Sequence, residues 1–216
     1  MKRPRRNPRR PTSTTTSSRK ARKPPRPKKR KTRSTEQTGR ARLALLGLGS
    51  NLGDRRAHIE RALEEISRVA PILATSSFYR TDPVGFAKQP AFWNLAAAIA
   101  WTGGPARLLA LVKRVERTVG RTPSFRNGPR EIDVDILDLE GIRRADADPI
   151  LPHPRLSERR FVLAPLAELA PGWRHPATGD SAEELLRTLP RRPGVRRLSS
   201  KPRGSLAPRP AGRDPR

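Results

Sequence analysis

The chain has 216 residues and carries 47 Lys plus Arg against 20 Asp plus Glu, a formal net charge of +27. With 34% hydrophobic residues, 4% aromatics and 24 prolines, part of it lacks the side chains to join a core. The absence of Cys excludes a disulfide framework, a thiolate metal site and a thiol nucleophile. No apolar run approaches the ~18 residues of a membrane helix, and no apolar stretch follows the basic N-terminus as in a secretory signal.

The charge is unevenly placed. Residues 1–40 hold 17 Lys/Arg against Glu36 alone, residues 199–216 hold five against Asp214 alone, and residues 41–198 hold 25 against 18 acids. The first segment is Pro, Ser/Thr and basic, with almost nothing to offset an ordering cost of about 1–2 kcal/mol per residue. Residues 1–40 and 199–216 are therefore expected to be disordered basic tails around one domain, 41–198.

Within that domain the pattern changes at Leu43. Leu43–Leu48 is a short apolar run closed by glycines, which suits a buried strand. Asp54 can cap a helix over about 55–69, with Ile59, Leu63, Ile66 and Val69 on one face. Ile72–Tyr79 and Phe92–Trp101 read as strands, separated by a loop through Thr81-Asp82-Pro83-Val84-Gly85. Gly104-Pro105 opens a helix that Gly120 ends near Val119. Ile132–Leu139 is a strand with alternating acids, Ser157 can cap a helix through Leu169, and 181–189 suits a short last helix. The order β-α-β-β-α-β plus a helical extension predicts an α+β, ferredoxin-like antiparallel sheet with helices on one face.

The most informative segment runs from Arg126 to Leu137. In a strand, residues two apart face the same way, so Asp133 and Asp135 project together while Ile132, Val134 and Ile136 face the core. Two carboxylates on one face suit a hard divalent cation such as Mg2+; alone, they also fit a solvated strand face. The nearby Arg121, Arg126 and Arg130 add what a polyphosphate requires, guanidinium forks beside a metal pair. Gly47-Leu48-Gly49-Ser50-Asn51-Leu52-Gly53 lacks the G-x-G-x-x-G spacing, and no G-x-x-x-x-G-K-[ST] occurs, so neither a dinucleotide fold nor a P-loop is indicated. By itself the segment reads as tight-turn packing. Phe92 and Asn94 share a strand face, where a ring could stack on a planar ligand and an amide could read its edge; Phe78, Phe86 and Phe92 would equally serve as core. His153 lies in a Pro-flanked loop, suiting a phosphate contact or a structural hydrogen bond.

Together these stretches resemble the 6-hydroxymethyl-7,8-dihydropterin pyrophosphokinases of folate synthesis, from about Leu43 to Pro171. The resemblance rests on Gly49-Ser50-Asn51-Leu52-Gly53, Ser77-Phe78-Tyr79-Arg80-Thr81, Asn94, Glu116, Gly120-Arg121, Gly128-Pro129-Arg130 with Asp133 and Asp135, Pro152-His153-Pro154-Arg155 and Arg159-Arg160-Phe161. It implies transfer of pyrophosphate from ATP to the hydroxymethyl group of the pterin, with release of AMP. It also implies two Mg2+ ions on Asp133 and Asp135, Arg121 and Arg130 on phosphate charge, and Lys113, Glu116, His153 and Arg159 along the nucleotide. Phe92 and Phe161 would sandwich the pterin, and Asn94, with Thr81, Asp82 and Val84, would read its polar edge. Asn127 stands where the family often has Trp, Pro123 where a second loop Arg is common, and Phe92 where Tyr can occur. Loops 81–91 and 121–130 are expected to close over the substrates. A cytoplasmic monomer acting on small molecules follows, with no membrane contact. The alternative is a nucleic-acid-binding protein acting through the basic N-terminal tail.

Overall fold

The computed structural model describes residues 40–191, 194–198 and 206. Apart from Arg40 and Leu206, the segments expected as tails lie outside the described residues. The elements in chain order are β1 (Arg42–Ser50), α1 (Arg55–Ser67), β2 (Ile72–Thr75), β3 (Tyr79–Thr81), β4 (Phe92–Trp101), α2 (Pro105–Val119) and β5 (Asp133–Leu139). A 3-10 turn (Leu156–Glu158), α3 (Arg160–Leu169), α4 (Ala182–Thr188) and β6 (Val195–Arg197) follow.

Local chemistry sets the helix ends. The Ala57 N–H donates to Asp54 Oδ1 at 3.0 Å, satisfying one of the orphan donors of α1. Pro105 opens α2, and Gly120 ends it at φ 106°, a left-handed conformation that glycine adopts without strain. Ser181 and Glu184 form a reciprocal capping box on α4. Val69 lies beyond the end of α1 and is 48% exposed, so it does not share the face expected for it. Ser157 sits inside the 3-10 turn and does not cap α3; Arg159 holds that position.

All strand pairs are antiparallel, in the order β5-β1-β4-β3-β6, with β2 also on β4. The run Ile72–Tyr79 is broken into two short pieces along one edge of β4: β2 faces residues 97–99 and β3 faces residues 92–94. At the break the Ser76 N–H donates to Ala96 O at 2.9 Å and Ser76 Oγ accepts from the Ala96 N–H at 3.0 Å, so the ladder stays satisfied.

Helices cover both faces of the sheet, not one. Leu46, Leu48 and Ile99 pack with α1 and α2 through Ile59, Ile66, Leu108 and Val115. Leu45, Ala96, Ala98 and Leu137 pack on the opposite face with Leu163 and Leu166 of α3. The cause is visible in β1 and β4, whose unbroken apolar runs leave neither face suited to water. Leu163 is completely buried in the second layer. Leu163→Ala is expected to cost about 2–5 kcal/mol, measured by denaturant unfolding; a loss under about 1 kcal/mol would contradict this packing.

Candidate active site

A cavity of about 330 Å3 opens over the sheet where β1, β4 and β5 meet the start of α3. Its floor is Gly47 and Gly49 of β1, paired with Asp135 and Asp133 of β5 on one side and with Ala96 and Asn94 of β4 on the other. A Cβ on Gly49 would lie 2.5 Å from Asn94 Oδ1, and one on Gly47 would lie 3.3 Å from Leu137 Cδ2. The two glycines are thus strand residues whose missing side chains leave room for the Asn94 amide and the Leu137 side chain, not turn formers.

The walls bring together Thr81, Asp82, Val84, Phe92, Asn94, Arg130, Asp133, Asp135, Arg159 and Phe161. Asn94 Nδ2 donates to Thr81 Oγ1 at 2.7 Å, which orients the amide across the β3–β4 ladder. The Arg130 guanidinium lies over Phe92 at 5.8 Å, and that of Arg159 over Phe161 at 5.6 Å. Lys113, Glu116, Arg121 and His153 do not line this cavity. Arg121 lines a neighbouring cavity of about 380 Å3 under loop 121–130, which shares Asn127 and Arg130 with the first.

Charge around the two aspartates is closely matched. Asp133 accepts from Arg121 at 2.7 Å and from Arg130 at 2.9 Å; Asp135 accepts from Arg159 at 3.2 Å. Beneath them Glu116 is 3% exposed and accepts from Lys113 at 2.9 Å, from Arg121, and from the Val134 N–H at 2.9 Å. Glu116 therefore holds β5 between the two aspartates and aims Arg121 at Asp133. His153 Nδ1 accepts the Arg155 N–H at 3.1 Å, placing the ring hydrogen on Nε2. Burial, then the Arg159 charge, lowers the imidazole to about 4, so it is neutral at pH 7.

The sequence alone assigns Asn51 no role. The structure gives it one. Its Oδ1 accepts the Arg130 N–H at 2.8 Å, while Nδ2 donates to Gln89 Oε1 at 2.9 Å and to Pro90 O at 3.1 Å. One buried amide thereby fastens both loops that border the cavity. The loops also touch directly: Gln89 Nε2 donates to Asn127 O at 2.9 Å, and Phe86 meets Phe125 edge-on at 5.2 Å. Asn127 has φ 60°, a conformation for which Asn is better suited than Trp.

Burial, then the neighbouring Asp133 charge, pushes the Asp135 carboxyl up to about 6. Below the ordinary carboxylate range Asp135 holds its proton both folded and unfolded, and the shift costs nothing. As pH rises toward about 6 the unfolded chain ionises first, so the stability contribution of this group falls and then levels off. The Asp135→Asn variant of the ligand-free protein is expected to melt above wild type at pH 7, the difference vanishing near the unperturbed carboxylate value. Thermal melts across that range check it; a lower melting temperature for the variant at pH 7 would contradict the sign.

Residues 45–171 match the family model described as 7,8-dihydro-6-hydroxymethylpterin-pyrophosphokinase. The chain is 39% identical over 156 residues to the 2-amino-4-hydroxy-6-hydroxymethyldihydropteridine pyrophosphokinase of Bacillus subtilis, covering 71% of this chain and 93% of that one. It is 44% identical over 130 residues to the protein of the same name from Methylorubrum extorquens, covering 59% and 82%. Against the Dictyostelium discoideum folic acid synthesis protein it is 35% identical over 148 residues, covering 68% of this chain and 22% of that longer one. In fold it is similar to Plasmodium falciparum HPPK-DHPS, with TM-score 0.55 and 16% identity, covering 70% of this chain and 43% of that one. The chain belongs to the 7,8-dihydro-6-hydroxymethylpterin-pyrophosphokinase family. The nucleic-acid alternative draws no support from the site or from these relatives. No helix among the described residues is long and apolar enough to cross a membrane.

Proposed function

We infer that this chain transfers pyrophosphate from ATP to the hydroxymethyl group of 6-hydroxymethyl-7,8-dihydropterin, a step of folate biosynthesis. The observation that carries the reading is the position of Asp133 and Asp135, on the wall between an aromatic-lined cavity and a cluster of arginines. Phe92 and Phe161 take the faces of the pterin ring, while Asn94, Thr81 and Val84 meet its polar edge. Arg121, Arg130 and Arg159 take the triphosphate, with Lys113, Glu116 and His153 behind them on the nucleotide side.

The donor set fits Mg2+. Two carboxylates without a third His, Asp or Glu ligand among the described residues match the habit of that ion, which completes its shell with phosphate oxygens and water. Asp133 and Asp135 would hold the expected two ions, whose positive charge would offset that of the triphosphate. The raised Asp135 carboxyl supports this reading, because a buried like-charge pair favours a cation between its members.

The hydroxymethyl oxygen bonds to the β-phosphorus of ATP as the bridge to the α-phosphate breaks, AMP leaves with that electron pair, and the hydroxyl proton is lost. No side-chain nucleophile is needed. Positioning and charge supply the rate, and the protein's share is to hold both substrates in line at about 3–3.5 Å. The reading is of a monomer acting on small molecules. Substrates made inside cells place the enzyme in the cytoplasm.

Asp135→Ala is expected to lower AMP formation from ATP and the pterin at least about a thousandfold while the fold persists by circular dichroism. Near-wild-type turnover would remove the two-carboxylate assignment. Phe161→Ala is expected to raise the KM for the pterin by about tenfold or more, with the KM for ATP little changed. An equal rise in both, in steady-state assays, would detach that ring from the pterin.

A further inference from the structure

Asp82 lines the cavity, but its carboxylate is already engaged by the segment between α4 and β6. The Gly194 N–H donates to Asp82 Oδ2 at 3.0 Å, and the Asp82 N–H donates to Gly194 O at 3.0 Å, closing a two-bond ring. From there β6 runs antiparallel to β3, pairing Val195 with Thr81 and Arg197 with Tyr79. Its far end is fixed to α3. Arg197 meets Glu168 at 2.8 Å and donates through Nε to Ser77 Oγ at 3.0 Å, while Glu168 also accepts from Ser77 Oγ and from the Tyr79 hydroxyl at 2.8 Å each. The strand carrying Thr81 is thus held on one side by β4 and on the other by β6. A three-residue edge strand with two arginines has little apolar surface to hold it, and these polar fastenings supply what the core does not.

We propose that the C-terminal strand is a positioning element for the pterin subsite, and that Asp82 serves it by accepting from Gly194 and not by touching the substrate. The proposal rests on the pyrophosphokinase reading. Asp82 and Gly194 fix the start of loop 82–91, so the Thr81 hydroxyl and the Asn94 amide bonded to it stay aimed into the cavity. A Cβ on residue 194 would lie 2.8 Å from Asp82 Oδ2, displacing the carboxylate without placing an atom in the site.

The test is steady-state kinetics of the full chain with each substrate varied, alongside thermal melts. Gly194→Ala is expected to raise the KM for the pterin about three- to tenfold, the worth of one lost hydrogen bond, with the KM for ATP changed less than about twofold. Arg197→Leu is expected to act in the same direction and Arg197→Lys to recover part of the loss. Asp82→Asn keeps an oxygen that can accept from Gly194 and is expected to raise the pterin KM less than Asp82→Ala. Equal rises for the two Asp82 variants would mean that the charge itself meets the substrate, which overturns the proposal. So would a lower melting temperature for Gly194→Ala with both KM values unchanged. If Gly194→Ala does not fold, the Arg197 and Asp82 pairs decide the matter. A wild-type chain that forms no AMP from the two substrates would remove the pyrophosphokinase reading along with the proposal; a fully active wild type with an unaltered Gly194→Ala would remove the proposal alone.

Discussion

Three carboxylates lie close together on and under β5, and the rest of the site is organised by what that costs. Asp133 and Asp135 face the cavity, Glu116 lies buried behind Val134, and like charges so placed resist ionisation unless cations attend them. Arg121, Arg130, Arg159 and Lys113 supply that attendance from three segments: loop 121–130 for the first two, the start of α3 and the middle of α2. These pairs hold side chains in place more than they stabilise the fold, since partly exposed ion pairs contribute little net free energy. What they provide is a set of guanidinium groups held in fixed positions beside the carboxylates of β5.

The local parts of this design are legible in the sequence. Period-two alternation places Asp133 and Asp135 on one face, and the structure keeps Ile132, Val134 and Ile136 buried on the other. Phe92–Trp101 and Pro105–Val119 end where their flanking Pro and Gly residues end them. The non-local parts are not legible. Gly49 looks like a turn residue until β4 brings Asn94 against it, from 45 positions along the chain. Helices on both faces require knowing that β1 and β4 are central. β6 was invisible because Val-Arg-Arg has no strand pattern of its own, and its partner Glu168 lies on another element.

The loops bordering the cavity obey the same rule. Each is punctuated by Gly and Pro and reads as mobile in isolation. Their behaviour in the molecule depends on Asn51, an amide with an acceptor for one loop and a donor for the other, buried where it cannot exchange either bond for water. Asn127 fits this scheme. Its carbonyl takes Gln89 and its backbone takes the left-handed turn, so this one residue links loop to loop.

The guanidinium groups of Arg130 and Arg159 each serve two partners. Each lies over an aromatic ring of the cavity, Phe92 or Phe161, an arrangement worth about 0.5–2 kcal/mol. Each is also ion-paired to an aspartate of β5, Asp133 or Asp135. One side chain thus joins an apolar wall to a charged one. A substitution at either ring therefore reaches the carboxylate behind it through its arginine, and the apolar and charged halves of the cavity are not independent of one another.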